Sequence, residues 1–334
     1  MPLSDGPYLW LAVFFCLGAI GTWGARRYAV SRRLLDAPGE RRSHRVPTPR
    51  GGGIAIVAGT VLAAVFLALP SLDPVLLAFA LGMAAVAAVG WVDDHRPLSP
   101  WARLGVHALA AAAFAAVLAL GGAGTVAIAT GFLAPLVLTN IWNFMDGIDG
   151  IAASQAVIVV LACLPFLPGT HHALALALVA ACMGFLPFNF PRARIFMGDV
   201  GSGAVGFAIG ALLALSTGAG GYGAAWLLLP LAPFLVDSSL TLLRRVVRGE
   251  RWWTPHVQHA YQVAARRFGH VPVTLAYGLV AAAGLAVAWY CRDASLSFMS
   301  FSLLAWYMSA AVLWLCLQGI EHQGGRQSGL DKEI

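Results

Sequence analysis

The stretch LGVHALAAAAFAAVLALGGAGTVAIATGFLAPLVLTNIW, residues 104–142, contains no Asp, Glu, Lys or Arg. A helix needs about 20 mostly apolar residues to cross a bilayer, so this stretch is long enough for two crossings. The glycines of segment 121–124 mark a break between the two helices. Comparable uncharged stretches occupy residues 151–191, 200–236 and 294–320. The sequence therefore predicts a polytopic membrane protein.

The composition of the whole chain supports this fold class. Of 334 residues, 59% are hydrophobic and 11% are charged, whereas roughly 25% of the residues of a soluble domain are charged. We expect one all-α transmembrane domain over residues 1–334, with about eleven membrane-spanning helices; ten is the alternative count. The predicted spans are 8–26, 52–69, 74–92, 103–120, 125–142, 150–167, 172–188, 200–217, 223–243, 272–290 and 296–318.

The distribution of arginines predicts the orientation in the membrane. Segments 26–50 and 244–267 hold most of the arginines, and basic loops favour the cytoplasmic side. We therefore expect the N-terminus outside and the C-terminus inside. The predicted cytoplasmic loops are 27–51, 93–102, 143–149, 189–199 and 244–271, followed by a tail at 319–334. The net charge of +6 then indicates contact with membrane lipids or phosphates, not with nucleic acid.

Acidic residues are concentrated at the same predicted helix ends. They are Asp93, Asp94, Asp146, Asp149, Asp199 and Asp237. One such aspartate could be a solvated charge, but a group beside long apolar helices indicates function. The adjacent Asp93 and Asp94 repel each other, so the pair needs a cation or a proton and suits general-base or metal chemistry. Asp146 and Asp149 have the spacing of one helical face. Asp199 precedes a Gly/Ser helix start, where Mg2+ and phosphate oxygens could be bound.

Two basic segments carry histidines. His256 and His259 are spaced to share a helix face, which allows zinc binding or, since no third His or Cys is nearby, more plausibly phosphate binding. His44 and Arg50 belong to RRSHRVPTPRGGG, residues 41–53. That segment is either a basic anchor on the cytoplasmic side or part of a substrate site.

Several motifs occur in order along the chain. They are Asp36 with residues 41–53, Asp93-Asp94 with Leu98-Ser99, residues 143–150, Asn189 with residues 196–202, Pro233 with Asp237, and residues 256–261. Together they resemble the polyprenyl-phosphate N-acetylhexosamine-1-phosphate transferase family, the MraY/WecA group of glycosyltransferase family 4. The histidine motif is most similar to the branch that primes O-antigen and other surface polysaccharides.

The resemblance implies the transfer of an N-acetylated amino-sugar 1-phosphate from a UDP-N-acetylhexosamine to undecaprenyl phosphate, with release of UMP. It implies Mg2+ as cofactor, with Mn2+ as an alternative, and a location in the bacterial cytoplasmic membrane. Asp199 would bind the metal, and Asp93, beside Asp94, would orient or deprotonate the lipid phosphate. Asp146 and Asp149 would contact the diphosphate as further catalytic residues. The implied substrate contacts are His44, Arg50, Asn143, Ile148, Asn189, Phe196, His256 and His259, with Ile148 and Phe196 bordering the uracil.

Two other functions stay open at this stage. One is the phospho-MurNAc-pentapeptide transferase reaction of peptidoglycan synthesis, which uses the same chemistry on another donor. The other is a lipid-phosphate transporter or flippase, which would carry acids at mid-membrane and inverted repeats. The sequence also leaves open a one-step or a two-step transfer, and it is compatible with a homodimer.

Overall fold

A computed structural model describes residues 6–36, 46–251, 253–254 and 256–330. The helices in this part of the chain are α1 Pro7–Ser31, α2 Ile54–Ala68, α3 Pro74–His95, α4 Pro100–Leu120, α5 Thr125–Met145, α6 Ile151–Cys163, α7 Gly169–Asn189, α8 Asp199–Gly220, α9 Leu228–Val247, α10 Ala260–Phe268, α11 His270–Tyr290 and α12 Leu296–Leu330. Two 3-10 helices, Leu164–Phe166 and Gly221–Leu227, and a two-stranded ribbon, β1 Leu35–Asp36 with β2 Thr48–Pro49, complete the described elements.

The all-α polytopic fold predicted from the apolar runs is confirmed. Among the described residues, nine helical segments are long and apolar enough to cross a membrane. Two shorter apolar helices, Ile54–Ala68 and Ile151–Phe166, account for the remaining predicted spans. Every predicted span therefore corresponds to a helix. The orientation of the termini stays a prediction.

The structure differs from the prediction in three places. Helix α1 continues to Ser31, past the predicted end at residue 26, because arginine is a good helix former and Arg27 lies 4.0 Å above the ring of Trp23. Helix α10 lies within the predicted loop 244–271. Its short, amphipathic sequence gives no membrane-span signal. Helix α9 reaches Val247, so Asp237 lies inside this helix and not at its end.

Helix α8 is the central element of the bundle. It packs against α3 and α5 along most of its length, and its apolar side chains are almost completely buried. A Cβ atom at Gly206 would lie 2.3 Å from the carbonyl oxygen of Leu138, and one at Gly210 would lie 2.3 Å from the backbone nitrogen of Pro135. Small residues at such positions allow helix backbones to approach closely in membrane proteins. Helix α8 is therefore held against α5 in a narrowly defined position.

The connections between the helices place the functional segments at one end of the bundle. The C-terminal ends of α3, α5 and α7 and the N-terminal ends of α4, α6 and α8 all lie there, because successive membrane helices alternate in direction. The β ribbon joins the same end: Gly52 N–H donates to the Phe196 carbonyl at 2.9 Å, and Phe196 N–H donates to the Pro49 carbonyl at 2.8 Å. We call this end of the bundle the acidic end.

Candidate active site

Asp94, in the last turn of α3, is bonded to the start of α8. Its carboxylate accepts hydrogen bonds from the backbone N–H groups of Asp199, at 3.2 Å, and Val200, at 3.1 Å. The Arg50 guanidinium donates to the Asp94 carbonyl, and its Nε lies 3.8 Å from Oδ1 of the carboxylate. Asp94 is only 5% exposed. It therefore acts as a capping group for α8, and its predicted catalytic role stays a prediction.

Arg103 joins the other two aspartates of this region. One of its nitrogens, Nη1, lies 2.7 Å from Oδ2 of Asp93 and 3.0 Å from Oδ2 of Asp199. Asp93 also accepts a hydrogen bond of 2.6 Å from the N–H of Leu98. Arg103 was not predicted as a site residue, because in the sequence it counts only as one of many basic residues near a membrane boundary. Its position in the first turn of α4, shortly after Asp93-Asp94, could have indicated that it pairs with these aspartates.

Asp146 follows the last residue of α5 and faces the same group of acids. Burial raises the pKa of the Asp146 carboxyl well above its usual range. Repulsion from the carboxylates of Asp199, Asp94 and Asp149 raises this pKa further. Several negative charges therefore share a small volume at the acidic end, and a cation or protons must offset their repulsion.

The prediction that Asp146 and Asp149 lie on one helical face is wrong. Residues 146–150 form a turn between α5 and α6, and Gly150 has a φ of +76°, a conformation that favours glycine. The two carboxylates are consequently not placed side by side on a helix. Oδ2 of Asp149 lies 3.2 Å from Nδ1 of His270 at the start of α11. His270 was another residue that sequence reasoning missed, since it is far from Asp149 along the chain.

The acidic end offers the oxygen ligands that Mg2+ prefers. In the part of the chain that the structure describes, no three Asp, Glu, His or Cys residues are arranged as a ready metal cage. Mg2+, however, is commonly held by one or two carboxylates together with substrate phosphates and water. Asp93 and Asp199, which approach the same Arg103 nitrogen, supply such a pair. The residues present therefore fit a magnesium ion that binds together with a phosphorylated substrate.

The predicted substrate contacts differ in what their side chains do. The Asn189 amide accepts from Gly150 N–H at 2.8 Å and donates to the Ile195 carbonyl at 3.0 Å, so it braces two loops. Asn143 donates to Ser202 at 3.1 Å and links α5 to α8. Ile148 is only 5% exposed and belongs to the hydrophobic core. Whether these residues also contact a substrate stays a prediction.

Phe196 lines a cavity of about 360 Å3 at the acidic end. Its described lining, which does not include Ile148, is Arg26, Val46, Pro47, Thr48, Pro49, Asp149, Arg192, Ala193, Arg194, Phe196 and His270. Three arginines and an aromatic ring suit an anionic ligand with a flat ring. A second cavity of about 340 Å3 lies between α1 and the end of α3. It is mainly apolar, with Arg50 and Asp94 among its lining residues.

The histidine segment reaches the acidic end without forming the predicted helix face. Residues 256–258 are not helical, and His259 is the N-cap of α10. The rings of His256 and His259 still lie 4.8 Å apart, and the His259 ring stacks at 6.2 Å on Phe144, next to Asp146. Burial, followed by the charges of His259 and Arg245, lowers the pKa of His256 to about 4. His256 is therefore neutral near pH 7. His44 lies outside the described residues.

The fold and the site together define a multi-pass membrane protein that gathers carboxylates and arginines at one end of its helices. Residues 76–217 match the sequence model of the family described as Glycosyl transferase family 4. This range includes the aspartates from Asp93 to Asp199.

Curated relatives extend the match over most of the chain. The decaprenyl-phosphate N-acetylglucosaminephosphotransferase of Mycobacterium leprae is 33% identical over 301 residues, covering 75% of this chain and 73% of the relative. The enzyme of the same name from Mycolicibacterium smegmatis is 34% identical over 290 residues, covering 72% and 70%. A phospho-N-acetylmuramoyl-pentapeptide-transferase from Moorella thermoacetica is 38% identical over 201 residues, covering 51% and 63%. The chain belongs to glycosyl transferase family 4 and is a membrane sugar-phosphate transferase.

Proposed function

We propose that this protein transfers an N-acetylated amino-sugar 1-phosphate, such as GlcNAc 1-phosphate, from a UDP-sugar to undecaprenyl phosphate, with release of UMP. The observation that carries the proposal is the convergence of Asp93, Asp94, Asp146 and Asp199 with Arg103 at the ends of apolar helices. A site at the ends of membrane-spanning helices would be accessible to a lipid phosphate from the membrane and to a nucleotide from water. The relatives named for N-acetylglucosamine phosphotransfer to decaprenyl phosphate support this class of donor and acceptor.

The reaction is a displacement at phosphorus. In the direct route, which we favour, an oxygen of the lipid phosphate attacks the phosphorus that carries the sugar. A new P–O bond forms, and the P–O bond to UMP breaks, with the electron pair leaving on UMP. Such a transfer depends on positioning and on neutralising charge. Asp199, with Asp93, would hold Mg2+, which would supply positive charge to offset the charges of the phosphates.

The residues of this chain would then have separate roles in the reaction. Asp93 orients the lipid phosphate or accepts its proton, and Arg103 offsets the negative charge of the aspartates and phosphates. Asp94 holds the start of α8, and with it Asp199, in a fixed position. The arginines of the cavity beside Phe196 would bind the nucleotide phosphates, with the ring of Phe196 against the base.

We place the site in the bacterial cytoplasmic membrane, facing the cytoplasm, where it would start the synthesis of a surface polysaccharide. The pentapeptide-transferase reaction is the second candidate, because one relative of that name is 38% identical over half of the chain. A flippase is not favoured, since the aspartates of the candidate site lie at helix ends and in the loops that join them.

A donor panel tests the proposal. The purified protein in lipid nanodiscs is given labelled UDP-GlcNAc, UDP-FucNAc or UDP-MurNAc-pentapeptide, with undecaprenyl or decaprenyl phosphate and with Mg2+, Mn2+ or EDTA. We expect a lipid-linked product from an N-acetylated amino-sugar donor and none in EDTA. Product from the pentapeptide donor alone would favour the second candidate. No product from any combination would refute both transferase reactions.

Two aspartate variants sharpen the same experiment. Asp199→Asn should lower turnover at least about 100-fold, as the loss of one well-placed electrostatic group commonly does. The matched control is Asp293→Asn, because Asp293 is 90% exposed at the opposite end of the bundle. Near-normal turnover by Asp199→Asn would remove Asp199 from the metal site.

A further inference from the structure

Asp237 is a buried acid that the transferase mechanism above does not use. It lies inside α9, and its side chain is 2% exposed. A carboxylate within a membrane helix is costly and is kept when it has specific partners. The role of Asp237 can therefore be inferred from the groups that bind its carboxylate.

Four hydrogen-bond donors from three helices converge on this carboxylate. Oδ1 accepts from Ala260 N–H at 2.7 Å and from the Thr241 hydroxyl at 3.2 Å. Oδ2 accepts from Tyr261 N–H at 2.9 Å and from the Tyr277 hydroxyl at 2.8 Å. The two N–H groups are the first of α10, which have no acceptor within their own helix. Asp237 thus caps α10 from a neighbouring helix.

Tyr261 connects this cap to the candidate active site. Its side chain is completely buried, and its hydroxyl donates to the carbonyl of Phe144 at 2.9 Å. The same hydroxyl lies against Gly147, where a Cβ atom would approach it to 2.2 Å. Asp146 lies between these two contact points along the chain. The Tyr261 hydroxyl therefore contacts the chain on both sides of Asp146.

His259 provides a second connection. Its Nδ1 lies 3.7 Å from Oδ1 of Asp237, and among the described residues this nitrogen has no hydrogen-bond partner. Its ring stacks on Phe144 with an interplanar angle of 23°. The carboxylate of Asp237 thus lies at the edge of the imidazole while Phe144 stacks on the ring, and the two contacts together favour one ring orientation.

We propose that Asp237 is a positioning residue of the active site: it fixes the start of α10, and through Tyr261 and His259 it fixes the turn that carries Asp146. This role rests on the transferase function proposed above. The alternative is that Asp237 only holds α9, α10 and α11 together. The two cases differ in whether a disturbance at Asp237 reaches the reaction through Tyr261.

Kinetics of Asp237→Asn measure the effect on the reaction. The amide has one acceptor oxygen where the carboxylate has two, so at least one pair of donors loses its partner. We expect kcat to fall about 100-fold, the effect of displacing a reacting group by about 1 Å, while KM for undecaprenyl phosphate changes little. The control is Ser238→Ala, which alters the next residue of α9, also fully buried, and should keep wild-type kinetics.

A double-mutant cycle identifies the route of the effect. Tyr261→Phe keeps the ring and removes the hydroxyl that binds Phe144, so kcat should fall by itself. The Asp237→Asn/Tyr261→Phe double variant should be no slower than Asp237→Asn, because both changes break the same chain of contacts. Multiplying effects would overturn the proposal. If Asp237→Asn does not fold, Tyr261→Phe should still lower kcat more than Tyr277→Phe, and equal effects would overturn the proposal.

Hydrogen exchange provides a readout that needs no substrate. In Asp237→Asn, the amides of residues 260–262 and 144–149 should exchange faster, while those of α8 should not change. Faster exchange at residues 260–262 alone would overturn the link to the Asp146 turn. A wild-type protein that is inactive with every donor would refute the proposed function, whereas an active wild type with an equally active Asp237→Asn would refute only the positioning role.

Discussion

Gly90→Ala should disturb the site while adding only one methyl group. Gly90 lies in α3, one turn before Asp94, where α3 touches the start of α8. A Cβ atom there would lie 2.3 Å from the carbonyl oxygen of Asp199 and 2.7 Å from the backbone nitrogen of Val200. Ordinary contacts begin near 3.4 Å, so the start of α8 must move by about 1 Å. The hydrogen bonds that the N–H groups of Asp199 and Val200 donate to the Asp94 carboxylate, at 3.2 and 3.1 Å, would lengthen beyond hydrogen-bonding distance.

The expected result is a large loss of activity with a small loss of stability. Overpacking typically costs about 1–3 kcal/mol, and alanine recovers about 1 kcal/mol of helix propensity over glycine. A displacement of Asp199 by about 1 Å should lower kcat about 100-fold. The assay compares transfer from labelled UDP-GlcNAc, together with the midpoint of thermal unfolding, for Gly90→Ala and Gly105→Ala.

Gly105→Ala is the matched control because it is also a glycine of a membrane helix. A Cβ atom at Gly105 would meet no atom of the described residues within 4 Å. We expect this variant to be as active as the wild type and slightly more stable. If Gly90→Ala retains more than half of the wild-type kcat, the contact between α3 and α8 does not set the position of Asp199.

Three further predictions follow from the same structure. Arg103→Gln removes the bridge between two aspartates and should lower kcat about 100-fold or more, whereas Arg96→Gln, at an exposed helix end, should not; equal losses would contradict the bridging role. The pKa of His256 in the folded protein is about 4, against an ordinary value of 6.5. The unfolded chain therefore takes up a proton at a higher pH than the folded protein does, so the stability should fall as the pH drops from 6.5 to 4. His256→Gln should reduce this acid-induced fall in the unfolding midpoint, and an unchanged pH profile would contradict it. With the native cysteines removed, an impermeant thiol reagent should label Asp293→Cys but not Arg248→Cys in intact cells, and the reverse pattern would invert the topology.

The membrane fold was predictable because every helix that crosses a bilayer needs its own long run of apolar residues, whatever its neighbours are. The uncharged run of residues 104–142 predicts two helices whatever its neighbours are, and the structure contains α4 and α5 there. The same reasoning found the aspartates, because a charge beside a long apolar run is conspicuous. Asp93, Asp94, Asp146 and Asp199 do come together, as their common side of the membrane suggested.

The partners of these charges could not be predicted, because they depend on contacts between distant segments. Arg103 looks like any boundary arginine until α4 places it between Asp93 and Asp199. Asp146 and Asp149 have a helical spacing, but the chain must turn between α5 and α6, and a left-handed Gly150 completes that turn. The role of Asp237 depends on α10, a nine-residue helix with no signal in the apolar pattern.

The close backbone contact of α8 with α5 also bears on where the proposed donor specificity is set. The backbone contacts at Gly206 and Gly210 hold α8 tightly against α5, so Asp199, at the start of α8, has a closely defined position. Under the proposed function, we expect adaptation to another sugar or nucleotide to come from the loops around Asp199, especially residues 46–50 and 192–196. Changes of donor specificity within this scaffold should therefore be found, or engineered, in those loops and not in the helices.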